Sequence, residues 1–159
     1  MNSKREAAVW ERVMAASAEC PMPAVRQQES GITAQQVLEL LQGELADACT
    51  YRVLAGRVKK DLRRCLLQLA QEEQRHSRQL EAVYYLMTGQ RPCPDRPKPP
   101  CMACTNEELR KRYKEEVEGA ARYHELAACA GSFEPLFHCL GHAEERHAGM
   151  ILELLQRCL

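Results

Sequence analysis

The sequence predicts an all-α protein, an antiparallel four-helix bundle made of two helical hairpins joined by a long Pro-rich crossover. Its 159 residues suit one core, and the good helix formers Glu, Gln, Leu, Ala and Arg dominate it. Apolar residues recur in alternating steps of three and four along four long stretches. No sustained alternation of β-branched residues competes with that pattern.

The chain is expected to divide after residue 32. Residues 1–32 would hold a short amphipathic helix over 3–16, followed by a connector with two prolines and a glycine. Residues 33–159 would form the bundle.

The first hairpin is expected to end at Gly89. Thr33 is a candidate N-cap for its first helix and Gly56 a candidate stop. The second helix would run from about Lys60 to Thr88.

The second hairpin follows a stretch that cannot be helical, because residues 90–104 contain five prolines. Thr105 to Glu108 has the capping-box pattern and would start the third helix. That helix would end near Gly131, and Ser132 would cap a fourth helix that runs nearly to Leu159.

Each apolar stripe is interrupted in its middle by acids or histidines. The second and fourth stripes each carry a Glu-x-x-His pair, and Glu73 to Glu144 is 71 residues. The first and third each carry one glutamate, and Glu44 to Glu116 is 72 residues. The hairpins therefore look like a diverged repeat with six candidate metal ligands: Glu44, Glu73, His76, Glu116, Glu144 and His147.

Four carboxylates in one apolar core would repel one another and become protonated unless cations neutralise them. Two divalent ions would balance the four charges. A glutamate and a histidine three residues apart share a helix face and can present an oxygen and a nitrogen to one ion. The pattern matches that of di-iron and di-manganese bundles and predicts two Fe (or Mn) ions, although affinity alone does not exclude zinc.

The glutamate of the third helix has an alternative. Glu116 fits the apolar stripe, whereas Glu115 with Glu118 would restore the 71-residue repeat at the cost of a π-bulge. The second choice would bring two arginines, one of them Arg112, into the core. Glu116 is therefore preferred. Asp47 is a possible extra ligand but is expected on the flank.

Tyr51 and Tyr123 each lie seven residues after the central glutamate of their helix. They are interpreted as candidate catalytic residues that donate a hydroxyl to a ligand carboxylate across the bundle. The alternative is core filling with the hydroxyl satisfied locally.

Together these motifs resemble the rubrerythrin branch of the ferritin-like superfamily, over roughly residues 33–158. The residues that carry the resemblance form four motifs: Glu44-x6-Tyr51, Glu73-x2-His76, Glu116-x6-Tyr123 and Glu144-x2-His147.

The resemblance implies a ferritin-like bundle with a non-haem di-iron centre, which reduces hydrogen peroxide or uses oxygen or peroxide to oxidise ferrous iron. It implies bridging roles for Glu73 and Glu144 and terminal roles for Glu44 and Glu116, with each histidine capping one iron. Alternatives are ferritin-type iron oxidation and storage, or a non-enzymatic metal-binding helical module.

Two features depart from the family pattern. Rubrerythrins usually carry a rubredoxin module with two Cys-x-x-Cys pairs, and this chain has one such pair, Cys101-x-x-Cys104. A separate electron donor is therefore expected. Rubrerythrins also carry a further glutamate where this chain has Gly119, which cannot ligate a metal.

The nine cysteines are odd in number and argue against a disulfide scaffold. Five lie on predicted helices and are expected to be buried: Cys49, Cys65, Cys129, Cys139 and Cys158. In the Pro-rich loop, Cys93, Cys101 and Cys104, with Cys20 as a possible fourth ligand, could bind zinc. A redox pair and free thiols are the alternatives.

The formal net charge is zero, which gives no reason to expect nucleic acid as a partner. No apolar signal region or membrane-length apolar run is visible. A soluble, cytoplasmic homodimer acting on peroxide or oxygen is expected.

Overall fold

The computed structural model describes residues 31–158 and is all-helical over that range, as predicted. The helices are α1 (Ala34–Ala55), α2 (Lys60–Thr88), α3 (Thr105–Ala127) and α4 (Glu134–Cys158), with a 3₁₀ turn over Gly131–Phe133. None of these helices is both long and apolar enough to cross a membrane. The predicted helix over 3–16 lies outside the described residues.

The ends of α1 and α2 follow the predicted signals. The Thr33 hydroxyl accepts from the backbone N–H of Gln36, and the Gln36 side chain accepts from the backbone N–H of Thr33, which completes a capping box. Gly56 caps the end of α1. Gly89 ends α2 in the left-handed region, at φ 70°.

The second hairpin begins and ends its helices differently from the prediction. Thr105 is the first residue of α3 rather than its cap, and the N-cap Cys104 makes no side-chain capping bond. The prediction that α3 reaches Gly131 is wrong, because i to i−3 bonds such as Ala130 N–H to Ala127 O tighten the chain after Ala127. Ser132 lies within the 3₁₀ turn that follows.

Two apolar clusters fill the core, one at each end of the bundle. The first cluster includes Val37, Leu80, Tyr123 and Phe137 from the four helices in turn. The second cluster takes one or more residues from each helix as well: Leu54, Leu66, Leu109 and Ile151 among them. The predicted apolar stripes are thus confirmed as core.

The order of the clusters along the chain gives the helix directions. α1 and α4 run from the first cluster to the second, whereas α2 and α3 run from the second to the first. α1 packs closely against α2, and α3 against α4. Because α2 and α3 point the same way, the connection between them must travel the length of the bundle.

The Pro-rich connection, residues 89–104, spans this length in a non-helical conformation. Its far end is fixed, since Met102 is buried in the second cluster and its carbonyl accepts a 2.7 Å hydrogen bond from Arg57.

The expectation that the helical cysteines are buried is wrong for the four whose side chains are described. Cys49, Cys65 and Cys139 are half-buried and Cys129 is exposed, since they lie beside the apolar stripes rather than in them. The Cys158 side chain is outside the described part of the structure.

Candidate metal centre

A layer of polar side chains lies between the two apolar clusters. It holds all six residues that the sequence singled out, and each is at most 7% exposed. Each helix therefore positions its polar residues by the same periodicity that buries its apolar ones. The six are Glu44 from α1, Glu73 and His76 from α2, Glu116 from α3, and Glu144 and His147 from α4.

His76 points Nδ1 at three carboxylates from three helices. The distances from Nδ1 are 3.0 Å to Glu73 Oε2, 3.3 Å to Glu144 Oε1 and 3.4 Å to Glu44 Oε2.

His147 does the same from the opposite hairpin. Its Nδ1 lies 2.9 Å from Glu73 Oε1, 3.5 Å from Glu116 Oε2 and 3.7 Å from Glu144 Oε1. The two imidazole rings are stacked, with centroids 5.4 Å apart.

The carboxylates therefore fall into two kinds. Glu73 and Glu144 each lie close to both imidazoles, whereas Glu44 lies close to His76 and Glu116 to His147. This is the division into shared and single carboxylates that two neighbouring ions would need.

The two tyrosines hold the outer oxygens of the single carboxylates. The Tyr51 hydroxyl donates to Glu116 Oε1, and the Tyr123 hydroxyl donates to Glu44 Oε1. Each tyrosine thus reaches from one hairpin to the other. Burial raises the pKa of both phenols, so they stay neutral donors at physiological pH.

Several buried atoms of this layer make no well-aligned hydrogen bond with the described residues, although some of them lie close to one another. Buried polar atoms are almost always paired, so a group of such atoms at one place is suited to receive a cation. Carboxylate oxygens and an imidazole nitrogen are suitable donors for a divalent ion. The unpaired atoms of the layer are Glu73 Oε1, Glu116 Oε2, Glu144 Oε1 and His147 Nδ1.

Four of the residues come close enough to hold one ion. Glu73, His76, Glu144 and His147 offer ligand atoms that lie within 4.8 Å of one another. The buried cluster can therefore hold a metal ion, and its donor set fits one.

The pKa values of the buried glutamates are shifted in opposite directions. Burial and the nearby charge of Glu73 raise the pKa of Glu44 to about 8 and also raise that of Glu144. Burial alone would raise the pKa of Glu73 too, but the adjacent imidazoles of His147 and His76 lower it below its usual range.

The pKa values of the two histidines are raised, whereas burial ordinarily lowers the pKa of an imidazole. Burial would lower the pKa of His76, but the nearby carboxylates of Glu144, Glu44 and Glu73 raise it well above its usual value. The pKa of His147 is likewise raised against the effect of burial, by Glu116, Glu72 and Glu73. Without a cation, protons thus neutralise the layer.

Glu72 is a partner that the sequence did not reveal. Nε2 of His147 lies 2.9 Å from Glu72 Oε2 and donates to it, which leaves Nδ1 to face the cluster. This bond lowers the pKa of Glu72 to about 2. The residue 71 positions after Glu72, and so its counterpart in the second hairpin, is Ala143. Ala143 provides His76 with no carboxylate.

Arg112 forms a second unforeseen contact. Its side chain, 6% exposed, pairs with Asp47 across the hairpins and with Glu108 and Glu115 on its own helix. Arg112 was expected in the core only if Glu115 were the ligand. That expectation is wrong, because Arg112 is buried with Glu116 in the cluster and three acids balance its charge.

The structure brings Glu116, and neither of its rivals, into the buried cluster. Glu115 is 37% exposed and pairs with Arg112, and Glu118 is exposed. Gly119 lies against the Glu144 carboxylate. A Cβ atom added at Gly119 would lie 3.5 Å from Glu144 Oε2.

The loop cysteines are not gathered into a site. Cys93, Cys101 and Cys104 are exposed free thiols, and the groups of converging metal-ligand atoms in the described part of the chain do not include them. Cys20 lies outside that part.

Comparison with models of known protein families, with curated proteins and with solved structures gives no match.

Proposed function

We propose that this protein is a di-iron oxidoreductase of the rubrerythrin-like type, a ferritin-like bundle that reduces hydrogen peroxide or oxygen at a carboxylate-bridged pair of metal ions. The observation that carries the proposal is the buried layer of four glutamates and two histidines with unpaired donor atoms. The parallel course of α2 and α3 and the long crossover agree with a ferritin-like arrangement.

The ligand roles follow from proximity. Glu73 and Glu144 would bridge the two ions, because each already lies close to both imidazoles. Glu44 with His76 would complete one ion, and Glu116 with His147 the other. Four carboxylates against two divalent ions give a neutral layer, which suits its burial.

The residues around the layer would orient its carboxylates and limit its contact with water. Tyr51 and Tyr123 fix the outer oxygens of the single carboxylates, so the inner oxygens keep their orientation. The two apolar clusters limit access of water from both ends. When bound, two ferrous ions would supply the two electrons that, with two protons from solvent, reduce one hydrogen peroxide to two waters.

A separate electron donor would then return the iron to the ferrous state. We propose hydrogen peroxide or oxygen as the small substrate, and a cytoplasmic homodimer as the working form.

The test is anaerobic loading of the full chain with ferrous iron, removal of unbound metal, and rapid mixing with peroxide. We expect the chain to retain and oxidise about two irons. Glu73→Gln keeps the shape of the shared carboxylate but removes its charge, and we expect loss of both retention and oxidation.

Glu81→Gln is the matched control, because Glu81 is exposed on the same helix. It should behave as the unmodified chain. Iron that is retained but oxidised no faster than free ferrous iron would overturn the oxidoreductase function while leaving a metal-binding protein. No retained iron or manganese would overturn both.

A further inference from the structure

A second cluster of imidazoles lies on the outer surface of the second hairpin. Three of the five histidines of the chain are there, one on α3 and two on α4. His124 and His142 pack edge to face with centroids 4.9 Å apart, and His124 and His138 lie 5.4 Å apart. Glu145 lies beside them.

The donor atoms of this surface cluster converge on one place. His124 Nε2 lies 3.2 Å from Glu145 Oε1, and His142 Nδ1 lies 3.0 Å from Glu145 Oε2. The ligand atoms of these three residues all lie within 4.8 Å of one another.

The opposite nitrogen of His124 also has a partner. His124 Nδ1 lies 3.2 Å from His138 Nδ1, and His138 Nε2 lies 3.8 Å from Glu134 Oε1. Contact between the two Nδ1 atoms requires that one donates and the other accepts. A donor at His124 Nδ1 leaves Nε2 as a lone pair directed at the convergence point.

The backbone of α4 is shaped to receive the His124 ring. A Cβ atom at Gly141 would lie 2.7–2.9 Å from three atoms of that ring, so any larger residue would displace it. A glycine within a helix costs about 1 kcal/mol relative to alanine. The position of the His124 ring is therefore supported by a residue that the helix alone would not favour.

An ordinary surface ion pair would not account for this arrangement. Two neighbouring imidazolium ions would repel each other, and one carboxylate would balance only one of them. Neutral imidazoles sharing a cation with a carboxylate remove that repulsion.

We propose that His124, His142 and Glu145 form a second metal site, separate from the buried cluster, which binds a zinc-class divalent ion and ties α3 to α4. His138 is its positioning residue, since it acts through His124. Two imidazoles and one carboxylate with open positions suit zinc, and cobalt as its spectroscopic substitute. The buried cluster, with four carboxylates, has a harder donor set.

The two sites use neighbouring residues that point in opposite directions. Glu144 is buried in the core and Glu145 is exposed on the surface. The surface site lies entirely within the second hairpin, whereas the six residues of the buried layer come from all four helices.

The test is titration of the metal-free full chain with zinc against a chromophoric chelator, with cobalt absorption as a second readout. We expect His124→Gln/His142→Gln to bind one zinc fewer than the unmodified chain, with unchanged melting in the absence of metal. Glu73→Gln should keep the surface zinc. Glu153→Gln, an exposed change on the same helix, should have no effect.

A paired glycine comparison tests the geometry itself. Gly141→Ala should weaken zinc at the surface site at least about tenfold, the scale of disturbing a ligand's orientation. Gly149→Ala on the same helix meets nothing within 4 Å and should leave the affinity unchanged.

Any of three results would overturn the proposal. One is a double histidine variant with the zinc stoichiometry and affinity of the unmodified chain. A second is equal zinc affinity in Gly141→Ala and Gly149→Ala. Complete loss of zinc in a folded Glu73→Gln chain would also overturn it, since all zinc would then lie in the buried cluster.

Discussion

His147 and His76 share two carboxylates, Glu73 and Glu144, but have different outer partners. Glu72 accepts from His147 Nε2, whereas the equivalent position on the other hairpin is Ala143. A carboxylate behind a ligating imidazole fixes its tautomer and raises its basicity. The two halves of the buried cluster are thus inequivalent, although the sequence repeat makes them look alike.

We predict that Glu72→Ala lowers the affinity for a metal ion that His147 would ligate by about tenfold to a hundredfold. Glu72→Gln, which can still accept the hydrogen bond, should recover part of that loss. Equilibrium dialysis with ferrous or manganous ion measures the effect. Glu81→Ala, exposed on the same helix, is the control, and equal affinities in both alanine variants would contradict the prediction.

Arg112 gives a second prediction at this scale. Arg112→Gln removes a buried cation and leaves Asp47 without its partner on the other hairpin, so we expect a loss of about 2 kcal/mol in the free energy of unfolding. Arg122→Gln is the matched change, because Arg122 is half exposed and pairs with Glu39 at 3.6 Å.

The Arg122 pair should contribute less than about 1 kcal/mol. Urea unfolding of both variants measures the difference. Similar losses in the two would show that the Arg112 contacts are no stronger than a surface ion pair.

The helices as elements are largely readable from the sequence, because their signals are local. The capping box at Thr33 and the left-handed Gly89 depend on residues at most a few positions away. The end of α3 was not readable, since the tightened turn after Ala127 has no proline or glycine to announce it before Gly131.

The element scale yields a prediction about the end of α2. Gly89→Ala places a side chain at φ 70° and should cost about 1 kcal/mol of stability. Gly43→Ala, inside α1 with open space around it, should instead stabilise by up to about 1 kcal/mol. Thermal unfolding measures both, and a shift of the same sign in the two would contradict the argument.

For the whole molecule, the six central residues were predictable because all of them interrupt an apolar periodicity. Glu72 and Arg112 were not, because neither lies in an apolar stripe and their partners are 75 and 65 residues away. Their roles depend on how the two hairpins meet, which no local pattern encodes.

The stability of the metal-free protein should fall as pH rises. Between about pH 4.5 and 8 the folded chain holds a proton on Glu44 that the unfolded chain releases, so folding is favoured at the lower pH. His76 acts in the same direction above pH 6.5, since its folded pKa is raised. Glu73 opposes this only below its ordinary value of 4.5.

We therefore predict a loss of more than about 1.4 kcal/mol, the worth of one pKa unit, between pH 6 and 9 in chelator. Added metal should reverse the loss, because ions replace the protons and bind more tightly as pH rises. Unfolding with and without metal at three pH values measures this. Glu44→Gln should lessen the metal-free loss without removing it, since the contribution of His76 remains, and a flat curve in the unmodified chain would contradict the prediction.

The exchange of tyrosines between hairpins has a consequence for engineering. Tyr51 serves a glutamate of the second hairpin and Tyr123 one of the first, so neither hairpin contains a complete site. Cleavage in the Pro-rich crossover would give two fragments, and a metal ion bound between them would favour their reassociation. Such a pair could report intracellular metal by split-protein complementation, with each fragment silent alone.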